Sequence, residues 1–288
     1  MSLTDNNPTN KVIGNVTRTL LLVIFLQASS YVAAQPYRIL LSNDDGISSP
    51  LLHTLKQELA ALPGIEVVVS APAENQSGSS HSTDGGPLIV ERIYQDGELL
   101  GHSVAGKPSD AVRFGLVELG KDEPFDLVVS GINRGANVGN ISHLSGTVGA
   151  AMEGLLQGVP AIAVSQDITD VDTVSSARFT AQLVTRYMES GAPQGTVISI
   201  NIPGGELQGL KIMPMGDSYL QTSHYDLVEQ TGERSVYERQ RVIVQSQDNS
   251  TDTYAYQQGY ITLTPLKFDW TDRDIMDQME SWNLQLAN

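Results

Sequence analysis

The sequence predicts an α/β fold: a doubly wound, mostly parallel sheet in three layers, with an antiparallel C-terminal extension. Three observations predict it. Short apolar runs alternate with helical patterns from residue 37 to about residue 202, the signature of successive βαβ units. The apolar runs are nearly continuous, as in strands buried on both faces. After about residue 205 the helical crossovers stop, so the remainder reads as an antiparallel extension or arm.

Each element follows from its own pattern. Tyr37–Ser42 is the first strand. Pro50–Leu62 is a helix, with Leu51, Leu52, Leu55, Leu59 and Leu62 near helical spacing. Glu66–Ala71 is a strand. Leu88–Tyr94 and Glu98–Val104 flank Asp96-Gly97, a hairpin signal. Pro108–Leu119 is a helix, and Asp126–Ser130 a buried strand that runs into a glycine-rich loop from Gly131 to Gly139. Ser145–Gln157 is a helix with Val148, Ala151, Met152, Leu155 and Leu156 on one face, stopped by Gly158 and Pro160. Ala161–Ser165 is a strand, Val174–Ser190 a helix and Thr196–Ile202 a strand. Beyond them, Val236–Gln247 and Tyr260–Leu266 read as strands separated by a polar stretch, and Arg273–Trp282 as a short helix.

Residues 1–34 read as a leader. Lys11 and Arg18 precede the apolar run Leu20 to Leu26, and Val32-Ala33-Ala34 offers the small residues of a cleavage site, the three-part pattern of a secretory signal peptide. The run is shorter than the roughly 20 residues that span a bilayer. The expected organisation is a signal peptide at 1–34, an α/β unit at 35–288 with its extension from about 205, and an exported protein, periplasmic or secreted, with no membrane contact after cleavage. The chain has a net charge of −16 and no cysteine. Such a charge disfavours polymeric nucleic acid and anionic membranes and favours a small substrate. The absence of cysteine excludes disulfides, thiolate metal sites and thiol nucleophiles.

Chemistry gathers where strands end. Asn43-Asp44-Asp45 follows the first strand, at the carboxyl end where open α/β sheets bind ligands. Two adjacent carboxylates there call for a cation, and hard oxygen ligands suit Mg²⁺, Mn²⁺ or Ca²⁺. The same residues also compose an ordinary solvated Asp-Asp-Gly turn. Ser145-Gly146-Thr147 opens a helix whose free N–H groups and dipole favour phosphate; simple capping by Ser145 accounts for the segment equally. The loop at 131–139 matches neither a Walker A loop nor a dinucleotide fingerprint, and no serine sits in a Gly-x-Ser-x-Gly elbow. His143 precedes the helix start and is either a phosphate contact or a plain loop histidine. Trp270, Trp282 and the tyrosines of 254–260 read as packing or interface residues rather than a base-stacking platform.

Taken in order, these segments carry a resemblance. Ile-Leu-Leu-Ser-Asn-Asp-Asp-Gly at 39–46, Ala71-Pro72 with Asn75-x-Ser77-Gly78, and Gly106-x-Pro108-x-Asp110 are followed by Val-Val-Ser-Gly-Ile-Asn at 128–133. Ser-Gly-Thr-Val-Gly-Ala-Ala-Met-Glu-Gly at 145–154 and Gly-Tyr-Ile-Thr-Leu-Thr-Pro-Leu at 259–266 complete the series. Together they resemble the SurE family of metal-dependent nucleotidases, the stationary-phase survival proteins, here in an exported variant. The resemblance implies a Rossmann-like core, a C-terminal arm exchanged in homodimers or homotetramers, and hydrolysis of nucleoside 5′- and 3′-monophosphates. It implies one divalent cation, Mg²⁺ or Mn²⁺, held by Asp44, Asp45, Ser77 and Asn133. Asp44 and Asp45 become the catalytic carboxylates, and Asn75, Asn137 and Ser145-Gly146-Thr147 line the phosphate pocket.

The chain departs from the family pattern at Asn140-Ile141, Leu144, Ala73-Glu74, Gln76 and Lys107. The departures bear on substrate preference and leave the implied metal set intact. A non-catalytic periplasmic binding protein for nucleotides or phosphate is the alternative. A receiver-like domain would need a phospho-accepting aspartate where Asn133 stands, and a haloacid-dehalogenase-type phosphatase would need an Asp-x-Asp pattern.

Overall fold

The side chains of the first strand divide the core in two. Ile39 and Leu41 point to one face of the sheet and Leu40 to the other, as the two-residue period of a strand requires. In the computed structural model, which describes residues 35–286, this strand, β1 (Tyr37–Ser42), lies near the middle of a nine-stranded sheet. The leader predicted at 1–34 lies outside the described residues.

The elements follow as α1 (Pro50–Ala60), β2 (Ile65–Pro72), β3 (Val90–Gln95), β4 (Glu98–Val104), α2 (Pro108–Phe114), β5 (Leu127–Arg134), α3 (Gly146–Leu156), β6 (Ala161–Gln166), α4 (Thr173–Ser190) and β7 (Val197–Ile202). Then come β8 (Gly209–Ile212), β9 (Leu220–Thr231), β10 (Arg234–Ile243), α5 (Asp252–Gln257), β11 (Tyr260–Leu266) and α6 (Arg273–Glu280). The order in the main sheet is β3-β4-β2-β1-β5-β6-β7-β11-β8. From β4 through β7 neighbours are parallel, with Ile39 opposite both Val67 and Leu127. On one face α1 and α4 bury Leu52, Leu55, Leu59, Ala177 and Val184 against Ile39 and Leu41. On the other, α2 and α3 bury Val112, Val148 and Ala151 against Leu40 and Val128. This is the predicted doubly wound arrangement.

The expected antiparallel C-terminal extension is present, but only part of it lies outside the main sheet. β11 enters the main sheet antiparallel to β7, and β8 continues it parallel to β11, so half of the expected extension belongs to the core sheet. β9 and β10 form a separate antiparallel ribbon with almost every residue exposed. The segment Gly131–Arg134, expected as loop, continues β5, with a register slip against β6 between Ser130 and Asn133. The helix expected to reach Leu119 gives way at Gly115 to a single π-helical turn. No helix among the described residues is long and apolar enough to cross a membrane.

One buried carboxylate fastens the C-terminal part to the rest. Asp252, at the start of α5, accepts from Gly139 N (3.2 Å), Gly216 N (2.8 Å) and Thr264 Oγ1 (2.9 Å). Asp252→Ala strands two backbone N–H groups. It is expected to lower stability by about 3 kcal/mol, read as a fall in the urea midpoint at unchanged slope; an unchanged midpoint would contradict this role.

Candidate active site

The chain leaves β1 through a turn built on Asn43. Its side-chain amide donates to Gly46 O at 2.9 Å, and its oxygen accepts from Gly46 N at 3.2 Å. Asn43 is thereby committed to the turn, and the next two residues stand at the carboxyl ends of the parallel strands. Asp44 is buried and Asp45 half-buried.

Three other segments close around this pair. From the loop after β2, Gln76 N donates to Asp44 O at 2.7 Å, and Asn75 Nδ2 donates to Asp45 Oδ1 at 3.1 Å. From the end of β5, Arg134 N donates to Asp45 Oδ2 at 3.3 Å. From the start of α3, Thr147 Oγ1 donates to Asp44 Oδ1 at 2.5 Å. Gly146 lies so near that an added Cβ would stand 2.8 Å from Asp44 Cβ and 2.5 Å from Ser79 Oγ, so only glycine lets the helix start approach the carboxylate this closely.

The electrostatics follow from the crowding. Burial pushes the Asp44 carboxyl up to about 6; the Thr147 hydroxyl opposes the rise and the neighbouring Asp45 charge adds to it. Burial also raises Asp45, against the Arg134 N–H and charge and the Asn75 amide. Two adjacent carboxylates held in a desolvated place are a poor arrangement for anions alone and a good one around a cation. The Ser79 hydroxyl beside them is buried with no hydrogen-bond partner. No group of three or more His, Cys, Asp or Glu able to hold a metal occurs among the described residues. A cation at this place would therefore draw on the two aspartates and on neutral oxygens. That all-oxygen donor set fits Mg²⁺ or Mn²⁺.

Of the other predicted residues, Ser77 sits on the same loop as Asn75, exposed, with its N–H donating to Asn75 Oδ1 at 3.0 Å. Asn133 immediately precedes the Arg134 contact, and its amide donates to Gly135 O at 2.6 Å. The Ser145 hydroxyl accepts from Val148 N at 3.1 Å, so it does cap α3. Asn137 spends its hydrogen bonds on neighbouring strands: its N–H donates to Asn201 Oδ1 and its amide to Ser165 Oγ, over the ends of β6 and β7.

Sequence reasoning missed what holds the Ser77 loop in place. His81 Nε2 lies 2.7 Å from Glu153 Oε2 on α3. Glu153, fully buried, also accepts from Arg113 of α2 (2.8 and 3.1 Å) and from Gln157 (2.8 Å). The only signal in the sequence is a lone carboxylate in the otherwise apolar, small-residue run of α3.

Residues 39–222 match the family described as "Survival protein SurE". The chain is 35% identical over 252 residues to the 5'-nucleotidase SurE of Symbiobacterium thermophilum, covering 85% of this chain and 98% of that one. It is 38% identical over 260 residues to the 5'-nucleotidase SurE of Rhodopirellula baltica, covering 86% and 99%. The crystal structure of a SurE protein from Aquifex aeolicus superposes with a TM-score of 0.74 at 31% identity, over 85% of this chain and 99% of that one.

Proposed function

The chain belongs to the SurE family, and from that premise we propose that it is a metal-dependent phosphomonoester hydrolase acting on nucleoside 5′- and 3′-monophosphates. The relatives named 5'-nucleotidase support the nucleotidase reading. The observation that carries it in this chain is the Asp44–Asp45 pair, buried at Asp44 and half-buried at Asp45, with the N-terminus of α3 pressed against Asp44.

In this reading Asp44, Asp45, Ser77 and Asn133 would hold one Mg²⁺ or Mn²⁺, which when bound would supply charge neutralisation for the phosphate and activation of water. The chain's own groups do the rest. The first N–H groups of α3, at Gly146 and Thr147, face the same place and favour the phosphate dianion, with Asn75 beside them. Thr147 locks the orientation of Asp44, whereas Asp45 is the more open of the two. In this reading one of the two aspartates also takes a proton from the attacking water: Asp44 through Oδ2, which Thr147 leaves free, or Asp45, the more solvent-open carboxylate. The water oxygen bonds to phosphorus, the ester P–O bond breaks, and the leaving nucleoside oxygen takes a proton from solvent while the aspartate gives its own back to solvent. Positioning and electrostatics of this kind are most of what phosphoryl transfer requires.

The test is phosphate release from a panel of 5′- and 3′-nucleoside monophosphates with Mg²⁺, with Mn²⁺ and with EDTA. Release that EDTA abolishes and added metal restores is the expected result. Release insensitive to EDTA would remove the metal from the reading. No release with any metal, from folded protein, would leave a nucleotide- or phosphate-binding protein.

A further inference from the structure

A second feature begins where the phosphate turn ends. Ser145 opens onto a cavity of about 840 Å³, bounded by the loop at 80–82, the segment 142–145, one face of α3 and the strand exit at 265–270. Its floor is apolar, with Val148, Met152, Met215 and Leu266 among its lining side chains. Two histidine–aromatic pairs form its rim. His81 meets Phe268 edge to face, with ring centroids 5.4 Å apart, and His143 meets Trp270 at 5.6 Å and 86°.

Trp270 decides what the cavity suits. It is 78% exposed, so its indole is not there to fill the core. The cavity is of ligand size and mostly apolar with a few polar groups, the usual character of a small-molecule site. A planar, neutral heterocycle is what open aromatic faces bind by stacking. The cavity also shares Ser145 with the phosphate-binding helix start, so a ligand anchored by its phosphate at Gly146 and Thr147 has one direction in which to extend.

We propose that this cavity is the nucleoside subsite, with the substrate's base stacked on Trp270, the perpendicular His143 ring meeting it at an edge, and its sugar toward Ser145. The proposal rests on the phosphomonoesterase reading and names the part of the substrate beyond the phosphate. It makes Trp270 and His143 specificity residues, acting on nucleotides and not on phosphomonoesters that lack a base.

The chain has two tryptophans, and Trp282 lies on the exposed C-terminal segment, so Trp282→Phe leaves Trp270 as the sole indole reporter. Adenosine, which carries no phosphate, is expected to change Trp270 fluorescence saturably in that variant, with and without EDTA. In steady-state kinetics, Trp270→Ala is expected to lower kcat/KM for AMP about 5- to 150-fold, the range of base–aromatic stacking, chiefly through KM. The same variant should leave kcat/KM for glycerol 2-phosphate unchanged. A fluorescence signal indifferent to adenosine, or equal losses on both substrates, would overturn the subsite. Failure of the phosphatase reading appears differently, as no phosphate release from either ester by the wild-type protein, and leaves the adenosine titration to judge the cavity by itself.

Discussion

Asp44→Asn is expected to lower kcat by at least about 10²-fold, the low end for losing a catalytic acid–base or ligating group, while making the metal-free protein more stable. The two effects have one cause. Asp44 is buried beside Asp45, and its carboxyl is pushed up to about 6. A carboxylate whose folded pKa lies above its unfolded value stabilises the fold fully below the unfolded value, near 3.8, and loses that contribution as pH rises through about 6. At neutral pH the metal-free wild type therefore holds a charge that burial disfavours. The asparagine amide has no charge to desolvate, and its oxygen still accepts from Thr147 Oγ1 as Asp44 Oδ1 does. The gain in the metal-free variant is expected to be about 1–3 kcal/mol at pH 7, shrinking toward zero below pH 4. Thermal unfolding in EDTA reads the first effect and nucleotide turnover with Mg²⁺ the second. Near-normal turnover would remove Asp44 from the machinery. A loss of stability at pH 7 in EDTA would contradict the desolvation argument.

That pair was legible in the sequence because the physics that exposes it is local. A short apolar strand followed by Asn-Asp-Asp-Gly announces both a buried strand and its carboxyl end, and the sheet then places the loops after β2 and β5 and the start of α3 on the same rim. The strands of the parallel core were read correctly for the same reason: burial on both faces forces continuous apolar runs. Where burial was lacking, so was the signal. β9 is exposed along nearly its whole length, and no alternation marks it as a strand. β8 and α5 are short and sit in a polar stretch. Gly131–Arg134 carries glycine and asparagine, which read as loop, yet the strand persists through its register slip. The pairing of β11 with β7 needs the tertiary fold, since nothing in Tyr260–Leu266 says which edge it joins.

Glu153 is the clearest case of a residue whose role only the fold reveals, because its partners Arg113 and His81 lie 40 and 72 residues away in sequence. Replacing it by glutamine is expected to destabilise the protein by up to about 3 kcal/mol at pH 7 and by less than half as much at pH 3. Burial by itself would raise this carboxyl, but hydrogen bonds from His81, Arg113 and Gln157 overcome burial and hold it at about 2. A folded pKa below the unfolded 4.5 contributes stability that is present above pH 4.5 and lost as pH falls toward 2. At about 1.36 kcal/mol per pH unit the shift corresponds to about 3 kcal/mol. The Arg113 side chain is 43% exposed, so solvent screens part of that pairing and the value is an upper bound. Urea unfolding of wild type and Glu153→Gln at the two pH values checks it. A difference that stays constant between pH 7 and pH 3 would mean that the variant's effect is one of packing and not of charge. The loop bearing Ser77 and Ser79 hangs on the same carboxylate through His81, so the difference in stability should be accompanied by a fall in kcat at pH 7.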